Sequence, residues 1–285
     1  MPAFEFRRFN AALGAEIAGV DLSKPLDEET FAQIRRALLA SEGLLVFRDQ
    51  RMTPEDQIAF SRGFGPLTIH VLRQYSLPEY PEVLRVSNVI ENGVPIGLGD
   101  AGRYWHSDLS YTAEPSFGSL LYALEVPSEG GDTSFANMSA AYEALPHDVR
   151  ERLAGKRAVH SYSHRYAQMS DSKWRPPLTQ SQMEELPEAT HPIVRTHPET
   201  GRKCLFVNEG FTARVADFAE LESRDLLDFL FWHCTQPCFV YRHAWRQYDL
   251  VFWDNRCVIH MAHGCPSHLR RHMHRTTIKG DVPYE

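Results

Sequence analysis

The stretch DLVFWDNRCVIHMAHG, residues 249 to 264, opens on apolar side chains and closes on histidines. It reads as a strand that begins at DLVFWDN and ends at His260. Working outward, SLLYALEV, RKCLFVNE, CFVYRHAW and RRHMHRTTI read as further strands, short and separated by Gly, Pro and polar residues. Short strands punctuated in this way fit a sandwich or a double-sheet jelly roll better than a wound parallel sheet, which needs a helix after each strand.

The remaining regular segments are helical. Phe31, Ile34 and Leu38 in DEETFAQIRRALLAS recur at helical spacing, and Gly43 ends the run before the buried strand LLVF at 44 to 47. In TPEDQIAFSRGFG, Thr53 suits the cap, Pro54 the first turn and Asp56 the acid of a capping box. Further helices are predicted over 139 to 153 and 220 to 234. The expected fold class is therefore mainly β with flanking helices (α+β), around a double-stranded β-helix, or jelly-roll, core. No repeat or linker divides it, so residues 1 to 285 form one expected domain. Residues 163 to 191, which begin SHRYAQMSDSKWRPP, are polar and proline-bearing. An unpatterned segment of that length in a compact body suggests a lid or insertion.

Composition narrows the function. Hydrophobic residues make up 43% and charged residues 24%, the profile of a globular protein with a large core. The formal charge of -7 offers no general attraction to nucleic acid or to an anionic membrane, so neither is an expected partner. It leaves room for a local basic pocket that takes a small anion. The start MPAFEFRRFN lacks the apolar core of a secretion signal, and no run of about 18 apolar residues occurs, so a cytoplasmic location is expected. The five cysteines show no C-x-x-C spacing and read as free thiols. Apolar helical stripes make a homo-oligomer an expectation as well.

Two strings mislead. GLGDAG, residues 97 to 102, matches the dinucleotide fingerprint G-x-G-x-x-G, but the aromatic RYWHSDLSY follows it where a helix is required. It reads as a loop. The basic run HLRRHMHR, 268 to 275, alternates like a strand and continues into Thr-Thr-Ile, which argues against a nucleic-acid patch.

The chemistry begins in that RYWHSDLSY. Side chains at i and i+2 of a strand share a face, so His106 and Asp108 can converge on one ion. Many strands carry H-x-D by chance, and a third ligand must come from elsewhere; His260 offers it. Two histidines and one carboxylate on one side of an ion leave the other side open, which suits the non-haem Fe(II) oxygenases. Such iron needs an electron source, and a 2-oxo diacid serves if a cation meets its far carboxylate. Arg271 and Arg275 lie four apart on one face of the strand RRHMHRTTI, about 13 Å at the usual strand rise, far enough to hold two different anionic groups.

With these residues in view, the chain resembles the Fe(II)/2-oxoglutarate-dependent dioxygenases of the taurine dioxygenase and 2,4-dichlorophenoxyacetate dioxygenase family. The resemblance runs nearly end to end, through LLVFRDQRMTPEDQIAFSRGFGPL, WHSD, VPSEGGDTSFANMSAAYEALP, VRTHPETGRKCLFVNEGFT, WDNRCVIH and RRHMHRTTIKGD. It implies that His106, Asp108 and His260 ligate Fe(II), with 2-oxoglutarate as co-substrate and O2 as oxidant. It implies that Arg271 and Thr133 of the GGDT turn bind the far carboxylate of 2-oxoglutarate. It implies that Arg275 lies near the anionic group of the primary substrate, and that His70 and Phe211 line the substrate pocket. Because Asp108 is present, no ligand position is left for a halide, and hydroxylation is expected over halogenation.

The chain departs from the taurine branch at two places. Gly102 stands where that branch has an asparagine, and Leu72-Arg73 replace a tyrosine. A polar recognition site that loses its hydrogen bonds discriminates strongly between substrates, so taurine itself is disfavoured. The expected substrate is a small organic anion, an alkylsulfonate or an aryloxyalkanoate-type carboxylate, hydroxylated with release of succinate and CO2. Fragmentation of the product follows if the hydroxylated carbon bears a sulfonate or an ether oxygen. Two other classes stay open at this point. A catalytically silent jelly-roll binding protein would have no need of the full ligand set. A zinc-dependent hydrolase would have no use for an arginine and a threonine set for a second diacid, and would not consume O2.

Overall fold

The computed structural model describes residues 4–168 and 178–285. Its frame is an eight-stranded sheet facing a three-stranded one. In spatial order the large sheet runs Glu5–Arg8, Ala15–Ala18, Leu44–Phe47, Leu250–Asp254, Gly118–Glu125, His272–Ile278, Tyr80–Ser87 and Ser76–Leu77. Only Ala15–Ala18 and Leu44–Phe47 pair in parallel; the other neighbours are antiparallel. The small sheet sets Thr133–Asn137 between Val240–His243 and Val258–Ala262.

Period-two alternation distributes the strand residues between two cores. Leu44, Val46, Val251, Trp253, Leu121 and Met273 point inward and pack with Phe135 and Ile259 of the small sheet. Leu45, Phe47, Leu250, Phe252, Leu120 and Tyr122 point outward and meet Ile34, Leu38 and Phe60 of the two early helices. Covered on both faces, LLVF and LVFW read as unbroken apolar runs. The helices are Glu28–Ala40, with Asp27 accepting from the Thr30 N–H, and Pro54–Arg62, opened by the expected Thr53/Asp56 capping box.

Four expectations are corrected. DLVFWDNRCVIH is not one strand: Leu250–Asp254 belongs to the large sheet and Val258–Ala262 to the small one. The turn between them, closed by Cys257 N–H donating to Asp254 O, is a corner of the jelly roll. Residues 139 to 153 form two helices, Met138–Glu143 and His147–Leu153, because Pro146 lacks an N–H and bars its predecessor from the helical region. The two short N-terminal strands were not anticipated, since four residues carry too little periodicity. Segment 163 to 191 is more ordered than expected, for Tyr162–Gln168 and Gln180–Glu184 are helical and Ala189–Pro192 is a strand; residues 169–177 of that expectation lie outside the described residues. All five cysteines are free, and no helix among the described residues is long and apolar enough to cross a membrane.

Candidate active site

His106 and His260 meet through their backbones before their side chains do. Each N–H donates to the other's carbonyl, at 3.0 and 2.8 Å, in an isolated antiparallel bridge. His106 therefore sits on a single bridge, not on the regular strand expected of it, and Asp108 begins the turn that follows. The convergence survives the correction, because the bridge sets the imidazoles 4.0 Å apart between centroids.

All three groups are buried. His106 Nδ1 donates to the Tyr104 carbonyl at 2.9 Å, which leaves Nε2 as the free lone pair. That Nε2 lies 3.8 Å from Asp108 Oδ1, and His260 Nε2 lies 3.9 Å from Asp108 Oδ2. Both gaps exceed a hydrogen bond. Metal–ligand bonds of about 2.0–2.2 Å fit between these atoms with shifts below an ångström. Burial pushes both imidazoles below their usual pKa, and the neighbouring His106 pushes His260 further, so both are neutral at pH 7, as a ligand must be. Burial works against ionisation of Asp108, but the Arg275 guanidinium, helped by the Ser119 hydroxyl, outweighs it and holds the carboxyl well below its ordinary value. A buried anion beside two neutral imidazole lone pairs is a donor set that fits a divalent metal.

Asp108 is oriented from several sides. Ser119 Oγ donates to its Oδ2 and Arg275 Nη1 to its Oδ1, both at 2.7 Å. Asn255, on the corner turn, accepts from the Asp108 N–H at 3.1 Å and donates to the hydroxyls of Ser116 and Ser119. The Trp253 indole N–H, at 3.0 Å, holds the Asn255 carbonyl in place. Nothing local marks Asn255 or Ser119 as site residues. They become so only when the corner turn crosses beneath Asp108.

A second trio, His197, Asp254 and Cys257, is also close enough to hold a metal ion. Its donors are already used. Asp254 accepts from Arg256 and from His197 Nε2, while His197 Nδ1 accepts from the N–H groups of Glu199 and Thr200. Burial drives the Cys257 thiol well above its ordinary pKa, away from the thiolate a metal needs. That trio is an internal ion-pair network.

Two cavities flank the histidines, with Leu98 and Ala101 of the GLGDAG loop between them, lining both. One holds His70, His106, Asp108, Phe211 and Arg275. Tyr104, Tyr111 and Tyr162 also line it, beside Leu109, and with Phe211 they form one buried cluster, Phe211 edge-on to Tyr104 at 5.8 Å. The half-buried His70 accepts from the Leu72 N–H through Nδ1. The other cavity holds Arg271 with Asn88, Arg103, His263 and Cys265. Arg271 Nε donates to the Gly131 carbonyl at 3.2 Å, and its buried Nη2 has no hydrogen-bond partner among the described residues. Burial lowers its pKa to about 10, so it stays cationic at pH 7. The two arginines thus serve two different cavities, helped by a bulge between His272 and Met273. Thr133 lines neither cavity, but it stands opposite Ala262 of the Arg271 cavity in the small sheet.

Gly102 explains itself here. Its φ is +66, and a Cβ there would lie 2.6 Å from His106 Cε1. Gly102→Ala is expected to displace the ligand ring and weaken Mn(II) binding by about 10- to 100-fold, the usual cost of disturbing a ligand's support. A titration giving the wild-type constant would mean that the ring does not depend on this gap.

The description "Taurine catabolism dioxygenase TauD, TfdA family" matches residues 5–277. The α-ketoglutarate-dependent 2,4-dichlorophenoxyacetate dioxygenase of Cupriavidus pinatubonensis is 37% identical over 279 residues, covering 94% of this chain and 95% of that protein. The (S)-phenoxypropionate/α-ketoglutarate dioxygenase of Sphingobium herbicidovorans is 35% identical, covering 100% and 98%. The crystal structure of a taurine dioxygenase from Burkholderia xenovorans superposes with a TM-score of 0.82 at 33% identity, covering 99% of this chain and 91% of that one. With the ligand trio assembled and the likeness extending over the whole fold, the chain belongs to the TauD/TfdA family and is an Fe(II)- and 2-oxoglutarate-dependent dioxygenase.

Proposed function

We propose that this enzyme hydroxylates a small organic anion that carries an aromatic ring, an aryloxyalkanoate-type carboxylate rather than taurine. The observation that carries the reading is the cavity at His106 and Asp108, where Tyr104, Tyr111, Tyr162 and Phe211 stand among the lining residues with Arg275 as the cation. A flat ring gains edge-to-face contact against such a wall, which a short aminosulfonate cannot make. Gly102 and Leu72-Arg73, where the taurine branch has polar groups, point the same way.

In this reading His106, Asp108 and His260 hold the iron. When bound, the iron supplies activation of O2, which oxidises 2-oxoglutarate to succinate and CO2 and delivers a hydroxyl to the substrate carbon. The protein's share is positioning. Arg271 and Thr133 hold the far carboxylate of 2-oxoglutarate. Arg275, whose buried Nε has no hydrogen-bond partner among the described residues, meets the substrate anion, while His70 and Phe211 set the direction in which one C–H faces the metal. Residues 1–285 act as one domain. The described parts of segment 163–191, residues 163–168 and 178–191, serve as a lid: Arg165 stands 4.0 Å over the Tyr104 ring, and Gln182 reaches the Val71 carbonyl beside His70. Exclusion of water by such a lid strengthens the charge contacts within. The enzyme is taken as cytoplasmic and as an assembly of identical chains, for which Leu221 and Trp232, 60% and 61% exposed on the helix Glu220–Cys234, offer apolar contact.

The test is a screen of aryloxyalkanoates, alkylsulfonates and alkyl sulfate esters with Fe(II) and 2-oxoglutarate, scored by succinate release. Aryloxyalkanoates should be turned over and taurine should be poor. Taurine outperforming every aromatic acid sinks the substrate assignment. Absence of O2 uptake with every acid sinks the larger one and reopens the hydrolase and the silent binding protein.

A further inference from the structure

We propose that Trp245 is a positioning residue for 2-oxoglutarate, acting through Thr133. The inference rests on the reading that Thr133 and Arg271 hold the far carboxylate, and it explains how a threonine hydroxyl comes to be reserved for that task. Trp245 Nε1 donates to Thr133 Oγ1 at 3.0 Å, and both residues are buried. An indole N–H is a donor only. It occupies one lone pair of the hydroxyl and cannot accept the hydroxyl proton. The single O–H of Thr133 must then donate elsewhere, and it has no acceptor among the described residues.

The backbone sets Thr133 beside the Arg271 cavity. Thr133 pairs with Ala262, and the preceding Asp132 and Gly131 are bonded to His263 and Gly264. Ala262, His263 and Gly264 all line the cavity that contains Arg271. A carboxylate seated on Arg271 is the acceptor that the hydroxyl lacks.

Trp245 is itself held. It follows the strand Val240–His243, whose His243 is the register partner of Thr133. The indole stands edge-on to the His243 ring at 4.7 Å and 89°. His243 Nε2 is bonded at 3.1 Å to Asp249, which also accepts from the Arg246 N–H and from Arg48. Arg48, Asp249 and His243 thus fix the indole, the indole fixes the hydroxyl, and the hydroxyl is set before the co-substrate arrives. Preorganisation of this kind appears as affinity, because the ordering cost is met in folding.

The experiment measures binding of 2-oxoglutarate to the Mn(II)-loaded protein by calorimetry, for wild type, Trp245→Phe, Thr133→Val and the double variant. Pyruvate, a 2-oxo acid without the far carboxylate, is the control ligand. Trp245→Phe keeps the aromatic packing and removes the donor. It should weaken 2-oxoglutarate binding by about five- to tenfold, the worth of one misdirected hydrogen bond, leave pyruvate binding unchanged and lower the melting temperature by only a few degrees. Thr133→Val should weaken 2-oxoglutarate at least as much, and the double variant should add nothing to it, since both act through one contact. If Thr133→Val weakens binding and Trp245→Phe does not, this inference fails while the carboxylate site stands. Additive effects, or equal loss of pyruvate binding, overturn it in favour of a general packing role. If Thr133→Val itself changes nothing, the reading of the carboxylate site fails and takes the inference with it.

Discussion

His106→Ala is expected to abolish succinate release and to leave purified protein without stoichiometric iron. The substitution deletes a ligand whose position is over-determined by the His260 backbone bridge and the Tyr104 carbonyl. Asp108 and His260 alone form a weaker, two-point site. The variant should still fold, because Arg275 and Ser119 continue to satisfy Asp108. Asp108→Ala makes a poorer experiment. It would leave Arg275 buried without its carboxylate, and breaking a buried pair from one side costs about 3–5 kcal/mol. Lost activity would then be confounded with lost stability. Iron content and succinate measured together on His106→Ala decide the matter: wild-type turnover would refute the ligand assignment.

The second large effect is expected from Arg271→Met. A diacid placed against this buried guanidinium makes a charge pair shielded from water, and removal of one partner costs about 3–5 kcal/mol, or roughly 10²- to 4 × 10³-fold in the affinity for 2-oxoglutarate. Folding stability should move the other way. Before co-substrate binds, Arg271 is a buried cation with an unpartnered Nη2 and a pKa lowered by burial, so the fold is strained by it. Methionine of similar length should leave the melting temperature unchanged or raise it. Calorimetry with 2-oxoglutarate and a thermal melt without it read the two effects separately. Weakened binding with a falling melting temperature would mean that Arg271 supports the fold and meets the diacid only incidentally.

These two expectations draw on residues of different legibility. The triad could be read as candidates because H-x-D and a distant histidine are a chemically specific set, and the family likeness tied them together. The capping box at Thr53 and Asp56 was equally plain, since it needs only residues three apart. A similar box at Thr179 and Gln182 is masked by its setting, a segment that lacks apolar periodicity. The aromatic cluster is less legible: the family likeness points to Phe211, but Tyr104, Tyr111 and Tyr162 come from separate stretches and share a surface only after folding.

Capped helices, apolar strands, three metal-ligating residues and two arginines are legible from the chain alone. Those properties depend on side chains a few positions apart, or on residue chemistry alone. Tertiary structure decided which side chains meet. It bent DLVFWDNRCVIH into two strands in opposite sheets, and so brought Asn255 under Asp108, 147 residues away in the chain. It likewise separated Arg271 and Arg275, near neighbours in the chain, into two cavities. The physical reason is that strand pairing and corner turns are set by non-local hydrogen bonds, whose partners no local pattern can name.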